Sequence, residues 1–260
     1  MDRIEKENYE KIPWSNCNEV TFTKPKFEEI ERLKQVPMKK RDYRYSEFYE
    51  LQTYIDLIEE IKPSVLLDVG AGCGNLSYIF QCLGWKVVSC DMDFEGFALE
   101  KNCFFKTDLN QKFPFDGNSF DCVVSKQVIE HLDNPRHFIR EAKRLLRPGG
   151  VIIFSTPNIT SLTSRLSFLL RGSLTHFENY WREHRSILHY AQLKSFLEEE
   201  QFKKIEFSCN IYRMYNFNSM TSGKKKKFLV PLLKSLSAND KVPLSCKFGD
   251  ALIVRAFLEK

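Results

Sequence analysis

Nowhere does the chain carry an apolar run approaching the ~20 residues that a bilayer-spanning helix needs, which excludes a helical membrane span. Its eight cysteines form no C-x-x-C pair and follow no regular spacing. Cys90 and Cys122 fall inside apolar, strand-like runs, where a reduced thiol packs as a small hydrophobe. The opening MDRIEKENYE is too polar for an export signal, so the expected setting is a reducing cytoplasm. No internal repeat or low-complexity tract is present. No strong charge of one sign is present either: the net charge of +5 is mild and does not by itself imply nucleic acid. What remains is ordinary globular composition, 43% hydrophobic and 28% charged, enough to bury a core. A length of 260 residues fits one α/β domain with additions.

Residues 1–45 are polar and aromatic with no strong period, and read as an N-terminal arm or a flap over a site, with a basic cluster at Lys39, Lys40, Arg41 and Arg44. From Ser46 a helix is expected, its apolar stripe formed by Phe48, Leu51, Ile55 and Ile58 and its end marked by Lys62-Pro63. Short apolar runs of strand length follow at Val65–Val69, Val87–Cys90, Phe120–Ser125 and Val151–Ser155, separated by helical patterns. The clearest helix is Asn134–Leu146, with Asn134 as cap, Pro135 in the first turn and Phe138, Ile139, Ala142, Leu145 and Leu146 on one face. Arg147-Pro148-Gly149-Gly150 breaks it. A further helix is expected around Ala191–Gln201, then β-like runs at Lys204–Tyr212 and Ala251–Phe257. Strands alternating with helices of this length predict a parallel sheet covered on both faces. Residues 46–260 thus read as one domain, with an irregular insertion at about 157–190.

The first core strand runs into VLLDVGAGCGNLS, a glycine cluster with an acid just before it. In an open parallel sheet, ligands sit outside the carboxyl ends of the strands, which is where these glycines fall. A dinucleotide site wants G-x-G-x-x-G, whereas Gly70, Gly72 and Gly74 read G-x-G-x-G. No G-K-[ST] follows, so the Walker lysine is missing too. Phosphate is disfavoured, and Asp68 beside the glycines would suit a cation. The second strand ends at Asp91, twenty-one residues beyond Gly70, where an acid can accept hydrogen bonds from both hydroxyls of a ribose. The expected ligand has a ribose, a positive charge and no phosphate, and S-adenosylmethionine, with an adenosine, a sulfonium and an α-amino group, meets all three conditions.

On these residues the chain resembles the class I S-adenosylmethionine-dependent methyltransferases. VLLDVGAGCG resembles the family's first motif, SCDMD its second, KTDLN its third, and FDCVVSKQVIEHL its fourth. LLRPGGVIIFSTPN resembles the block leading into the fifth strand. The resemblance spans roughly Ser46 to Phe202. It implies a Rossmann-like, seven-stranded, mostly parallel α/β sheet whose last strand, Ala251–Phe257, is antiparallel. It implies that Asp68 and the elbow of Gly70, Ala71, Gly72 and Gly74 border the methionine portion. Asp91, with Met92 beside it, would hold the ribose, and Asp108 and Leu109 the adenine. Ser125 and Gln127 would complete the cofactor set, Gln127 near the sulfonium. Cys73 departs from the pattern as a tolerated small residue. EHL followed by D-N-P, then STPN and a later His-Arg, resembles the branch with ubiquinone-type O-methyltransferases and polysaccharide-associated methyltransferases.

Methyl transfer is an in-line displacement for which the protein mostly supplies alignment. A hydroxyl nucleophile also needs a base, and histidine suits that task. Glu130 and His131 follow the fourth strand at the rim of the expected site. His131 reads as a general base; alternatively the pair ligates a metal with His184, or both residues only shape the pocket. The metal reading rests on relatives that carry E-x-x-E-H. Here Gln127 replaces the first acid and is a weaker ligand for a hard cation, so no metal is expected. His184, in Trp181-Arg-Glu-His-Arg185, reads as an acceptor-side residue or as part of a surface loop anchored by Trp181, and His189 is a weaker candidate of the same kind.

Leu162, Leu166, Leu169 and Leu170 share a helical face beside Arg165 and Arg171, with Gly172 as the stop. That helix reads as packed on the sheet edge or, more sharply, as a lid or membrane-interface helix for a lipid-linked acceptor. Lys224–Lys227, leading into Phe228–Leu233, reads as a solvated loop or as a basic patch docking on anionic lipid at the inner membrane surface. The expected activity is O-methylation of a small-molecule or saccharide acceptor. The competing readings are an RNA or protein methyltransferase, a non-catalytic cofactor-binding scaffold, and a dehydrogenase. Nucleic acid as a partner is disfavoured, because no basic strip is interleaved with aromatics.

Overall fold

The structure, a computed structural model, describes residues 43–93, 97, 99, 103–174, 183–210, 246 and 249–259, with side chains from Glu50 onward. The arm expected at 1–45 therefore lies outside the described residues except for its last backbone positions, as do Trp181 and Lys224–Lys227. Seven strands form one sheet: β1 (Val65–Val69), β2 (Lys86–Asp91), β3 (Phe104–Lys106), β4 (Phe120–Ser125), β5 (Leu146–Pro157), β6 (Phe202–Cys209) and β7 (Ala251–Leu258). Their order is β3-β2-β1-β4-β5-β7-β6. The first five pair in parallel, and β7 runs antiparallel to both β5 and β6. The expected fold class is the one observed.

Six helices surround the sheet among the described residues: α1 (Tyr43–Ile58), α2 (Asn75–Cys82), α3 (Pro135–Leu145), α4 (Leu162–Arg171), α5 (Tyr190–Glu199) and a 3₁₀ turn at Ile129–His131. The two-residue period of a strand explains why they lie on both faces. Leu67, Val69, Val123 and Phe154 point into one apolar layer with Phe138 and Ile139 of α3 and Leu193 and Leu197 of α5. Their neighbours Leu66, Val124 and Ile153 point into the opposite layer, against Tyr54 and Ile58 of α1 and Leu76 and Phe80 of α2.

Local chemistry sets the element boundaries. The Asn134 side chain accepts the His137 N–H at 3.2 Å and caps α3, with Pro135 in its first position. α3 stops at Leu145, so Leu146, expected on its apolar face, instead opens β5 opposite Phe120. Arg147 donates to the Asp121 carboxylate at 2.7 Å, which Ser64 also reaches at 2.6 Å, and this ties the break to the start of β1. Cys90 and Cys122 are fully buried, and burial pushes both thiols up, consistent with apolar packing.

Two helices face differently from expectation. α1 begins at Tyr43, and its buried line is Glu50, Tyr54 and Ile58, whereas Leu51 and Ile55 are half-buried. The Tyr54 hydroxyl donates to the Ser125 carbonyl at 2.5 Å, which turns this line toward the sheet. α4 ends at Gly172 in the left-handed region (φ 71°), as expected, but Leu166, Leu169 and Leu170 point to solvent while Ser164 and Ser167 are buried. Its leucine face is therefore not packed on the sheet edge. The serine side is drawn inward by hydrogen bonds among Asn158, Ser161 and Ser164.

Candidate functional site

The strand order reverses between β1 and β4, and a crevice opens there at the carboxyl edge of the sheet. The glycine elbow forms one side. Gly70, Gly72 and Gly74 have φ values of 72°, 53° and 93°, the left-handed region that favours glycine. The N–H groups of Gly70 and Ala71 donate to the Cys90 carbonyl at 2.8 and 3.1 Å, wrapping the loop over the tip of β2. Gly72 donates its N–H to Asp91 Oδ2 at 2.8 Å, and Asp93 N–H reaches Asp91 Oδ1 at 3.1 Å. A Cβ on Gly70 would meet Val128 Cγ2 at 2.3 Å, and one on Gly74 would meet Phe97 Cε2 at 2.9 Å. One on Gly72 would meet nothing within 4 Å, so a ligand can approach the backbone there.

Asp68 sits beneath the elbow, 1% exposed, and accepts the Ser77 hydroxyl at 2.5 Å. Burial pushes its pKa up to about 6, with Ser77 opposing. The crevice encloses a cavity of about 560 Å³. Of the residues picked out from sequence, Asp68, Gly70, Ala71, Gly72, Asp91, Met92, Asp108, Leu109, Gln127 and His131 line it. Asp108 is exposed and uses Oδ1 to accept from the Asn110 N–H at 2.9 Å, while Leu109 supplies apolar wall. Gly74 does not line the cavity; it stands in left-handed geometry as the first cap of α2. Ser125 does not line it either. Its buried hydroxyl donates to the Val69 carbonyl at 2.8 Å and so ties β4 to β1, a framework role in place of the expected ligand contact.

This wall fits a nucleoside with a cationic tail. A carboxylate has about four acceptor positions, and Asp91 uses one on each oxygen for the loop, leaving capacity for two ribose hydroxyls. Asn110, Lys126, Val128 and Arg185 also line the cavity and were not picked out from sequence. Asn110 is the last residue of the KTDLN block and Lys126 lies within FDCVVSKQVIEHL, so membership of a motif was the available signal.

The far wall is built from the turn after β4. Gln127 holds a left-handed backbone (φ 55°), with its N–H on Ser155 Oγ at 3.1 Å and its amide Nε2 on Glu50 at 2.9 Å. Its side chain is thus committed to α1 and β5. Glu130 is fully buried, and neither carboxyl oxygen has a hydrogen-bond partner among the described residues. Burial pushes its pKa up to about 8; Thr156 eases the charge without the geometry of a hydrogen bond. His131 Nδ1 lies 2.9 Å from the Glu183 carbonyl oxygen, which can only accept. Nδ1 therefore carries the hydrogen, and in the neutral ring Nε2 carries the lone pair.

The segment Glu183–His189 returns to this turn. Arg185 and Ser186 donate their N–H groups to the Glu130 carbonyl at 2.8 and 3.0 Å, and the Arg185 guanidinium pairs with Asp133. This brings the His184 ring edge-on to His131, with centroids 4.8 Å apart. One ligand-type atom from each of Glu130, His131 and His184 lies within 4.8 Å of the others, a carboxylate and two imidazoles that could hold a divalent ion. Neither Glu130 nor His184 lines the crevice itself. His189 instead caps α5, accepting the Ala191 N–H at 3.2 Å.

Comparison with known proteins agrees with this architecture. A probable S-adenosylmethionine-dependent methyltransferase of Mycobacterium tuberculosis is 33% identical over 97 residues, covering 36% of this chain and 35% of that one. A ubiquinone biosynthesis O-methyltransferase of Colwellia psychrerythraea is 28% identical over 153 residues, covering 55% of this chain and 62% of that one. The chain thus spans less than two thirds of either relative. A crystal structure of a SAM-dependent methyltransferase from Archaeoglobus fulgidus shares the fold with a TM-score of 0.58 at 17% identity, over 82% of this chain and 94% of that one. The sequence pattern of the family described as "Methyltransferase domain" matches residues 41–206, more than half of the chain, and the chain belongs to that family.

Proposed function

We propose that this protein is an S-adenosylmethionine-dependent methyltransferase acting on an oxygen of a small-molecule or glycan-like acceptor. The observation that carries the reading is the Asp91 carboxylate, held at the tip of β2 by the Gly72 N–H at 2.8 Å. The ligand it suits has a ribose and no phosphate. Asp91 would hold the ribose, Asp108 and Leu109 the adenine, and the open backbone at Gly72 the amino-acid tail. Asp68 would contribute negative charge toward a cation. When bound, S-adenosylmethionine supplies a methyl group on a sulfonium, which leaves with the sulfur keeping the bonding electron pair.

The chain's own residues would then do two things. The elbow and the turn after β4 orient the donor and exclude water on one side. On the other, His131 Nε2 takes the proton of the acceptor hydroxyl as the oxygen–carbon bond forms. The hydrogen bond to the Glu183 carbonyl holds the ring for that task. Oxygen as the accepting atom is supported by the name of the Colwellia relative, a ubiquinone biosynthesis O-methyltransferase.

Calorimetric titration with S-adenosylmethionine and with NADH tests the cofactor. The expected result is saturable binding of the first and none of the second; the reverse overturns the reading in favour of a dehydrogenase. Formation of S-adenosylhomocysteine with catechol, sugar and carboxylic-acid acceptors tests the activity. Cofactor binding without turnover on any of them would favour a non-catalytic scaffold.

A further inference from the structure

We infer that Asn110 is a positioning residue that makes the crevice selective for a purine bearing a 6-amino group. It does so by holding the Asp108 carboxylate as the acceptor for that group. The inference rests on the proposed function, in which Asp108 and Leu109 hold the adenine. Asp108, Leu109 and Asn110 all line the cavity. They follow β3, which is the edge strand of the sheet and has a neighbour on one side alone. The loop they form is therefore held by its own hydrogen bonds and not by a strand on either flank.

The orientation of the Asn110 amide is set from outside that loop. Its Oδ1 accepts the backbone N–H of Asp133 at 2.9 Å, twenty-three residues further along the chain. An N–H can only donate, so the carbonyl end of the amide faces Asp133 and the Nδ2 end faces away. The anchor is itself fixed, because the Asp133 carboxylate pairs with the Arg185 guanidinium just before α3.

The Nδ2 end meets Asp108. Asp108 Oδ1 accepts Nδ2 at 3.3 Å and the Asn110 backbone N–H at 2.9 Å. One residue thus supplies two donors to one oxygen. No donor among the described residues reaches Oδ2. Were the amide reversed, its carbonyl would stand against the Asp108 carboxylate, acceptor against acceptor, and the carboxylate would swing away. With the amide as it is, Oδ2 is left to accept from a ligand. A 6-amino group offers it an N–H. A purine without that group leaves the oxygen unpaired against the ligand, and a site built around such a hydrogen bond discriminates on that ground.

The test is isothermal titration of the full chain with S-adenosylhomocysteine and with its 6-deamino analogue, in which hydrogen replaces the amino group. Wild type is expected to prefer S-adenosylhomocysteine by about tenfold or more. Asp108→Ala should abolish the preference. Asn110→Ala should cut it to about threefold or less, with the loss falling on S-adenosylhomocysteine and the analogue bound within about twofold of wild type. Asn110→Asp at pH 8 keeps an oxygen for the Asp133 N–H but sets another oxygen against Asp108 in place of Nδ2. It should lose the preference as fully and still bind the analogue as wild type does, which shows that the chain is folded. A preference that vanishes in Asp108→Ala but survives in both Asn110 variants overturns the inference and leaves the cofactor reading standing. Equal weakening of both ligands in the Asn110 variants also overturns it, because Asn110 then only packs the loop. Wild type that binds both ligands alike overturns it as well, since Asp108 then does not read the amino group. Wild type that binds neither overturns the cofactor reading, and the inference falls with it.

Discussion

Gly72 and Asp91 are joined by a hydrogen bond of 2.8 Å from backbone N–H to carboxylate, so the loop after β1 and the tip of β2 form one unit. The same carboxylate would meet the ribose. Asp91→Ala should weaken S-adenosylmethionine binding by about 1.5–3 kcal/mol, the scale of a hydrogen bond to a charged group. That is roughly a 10- to 150-fold rise in Kd. Asp91→Asn keeps an acceptor for Gly72 and should fall between. Isothermal titration measures both, and wild-type affinity in Asp91→Ala would remove this residue from the site.

Gly70 and Gly72 should not respond alike. Gly72→Ala meets only the backbone penalty of a left-handed conformation, about 1–2 kcal/mol, since nothing lies within 4 Å of its added Cβ. Gly70→Ala carries the same penalty and also drives its Cβ to 2.3 Å from Val128 Cγ2, adding about 1–3 kcal/mol of overpacking. Adding Val128→Ala should restore part of the Gly70→Ala loss and none of the Gly72→Ala loss. Denaturant melts of the four variants check the ordering.

Asp68 gives a dependence on pH whose sign can be worked out. Burial lifts its pKa from 3.8 to about 6, so between those values the folded chain binds a proton that the unfolded chain has lost. Its contribution to stability is full below 3.8, falls as pH rises to about 6, and is level above, by at most about 3 kcal/mol. Asp68→Asn should flatten the fall across that window in thermal melts. A cationic ligand reverses the sense, because it favours the ionised form. S-adenosylmethionine affinity should weaken as pH drops below about 6 in wild type and stay flatter in Asp68→Asn.

Periodicity reveals which residues share a face of an element, and chain punctuation reveals where the element stops. That is why the Asn134-Pro135 start and the Gly172 stop were legible in the sequence, whereas the antiparallel direction of β7 was implied only by the resemblance to the methyltransferase family. Periodicity does not say which face turns inward. In α1 the Tyr54 hydroxyl decides, through a carbonyl seventy-one residues away at Ser125. In α4 the decision lies with Asn158 and its bonds to Cys246 and Gly249, far outside any helical window. Gly70, Gly72 and Asp91 were readable as neighbours because the sheet dictates where strand tips fall, Asp108, Leu109 and Gln127 were supplied by the family resemblance, and the structure brings all six to one cavity. Ser125, the last residue of β4, looks the same in sequence but turns its hydroxyl to the Val69 carbonyl. Glu130, His131 and His184 were readable as candidates, but their meeting depends on backbone bonds from Arg185 and Ser186 that no local pattern encodes.

Glu130, His131 and His184 can be told apart by variants at neutral pH. His131 lines the cavity, with Nδ1 committed to the Glu183 carbonyl and Nε2 left to accept a proton. His131→Ala should lower kcat by about 10²–10⁴-fold, the range for loss of a general base, and leave cofactor affinity within a small factor of wild type. Glu130 is buried with its pKa pushed to about 8, so at pH 7 it is mostly protonated and cannot take a proton. Glu130→Gln replaces a neutral acid by a neutral amide and should therefore change kcat little at that pH. His184→Ala, which removes a ring standing edge-on behind His131, should lower kcat less than His131→Ala does. Turnover that survives His131→Ala but collapses in His184→Ala would reassign the base. Collapse in Glu130→Gln at pH 7 would mean that the carboxylate is ionised there, and a cation beside the two imidazoles would be the group holding it so.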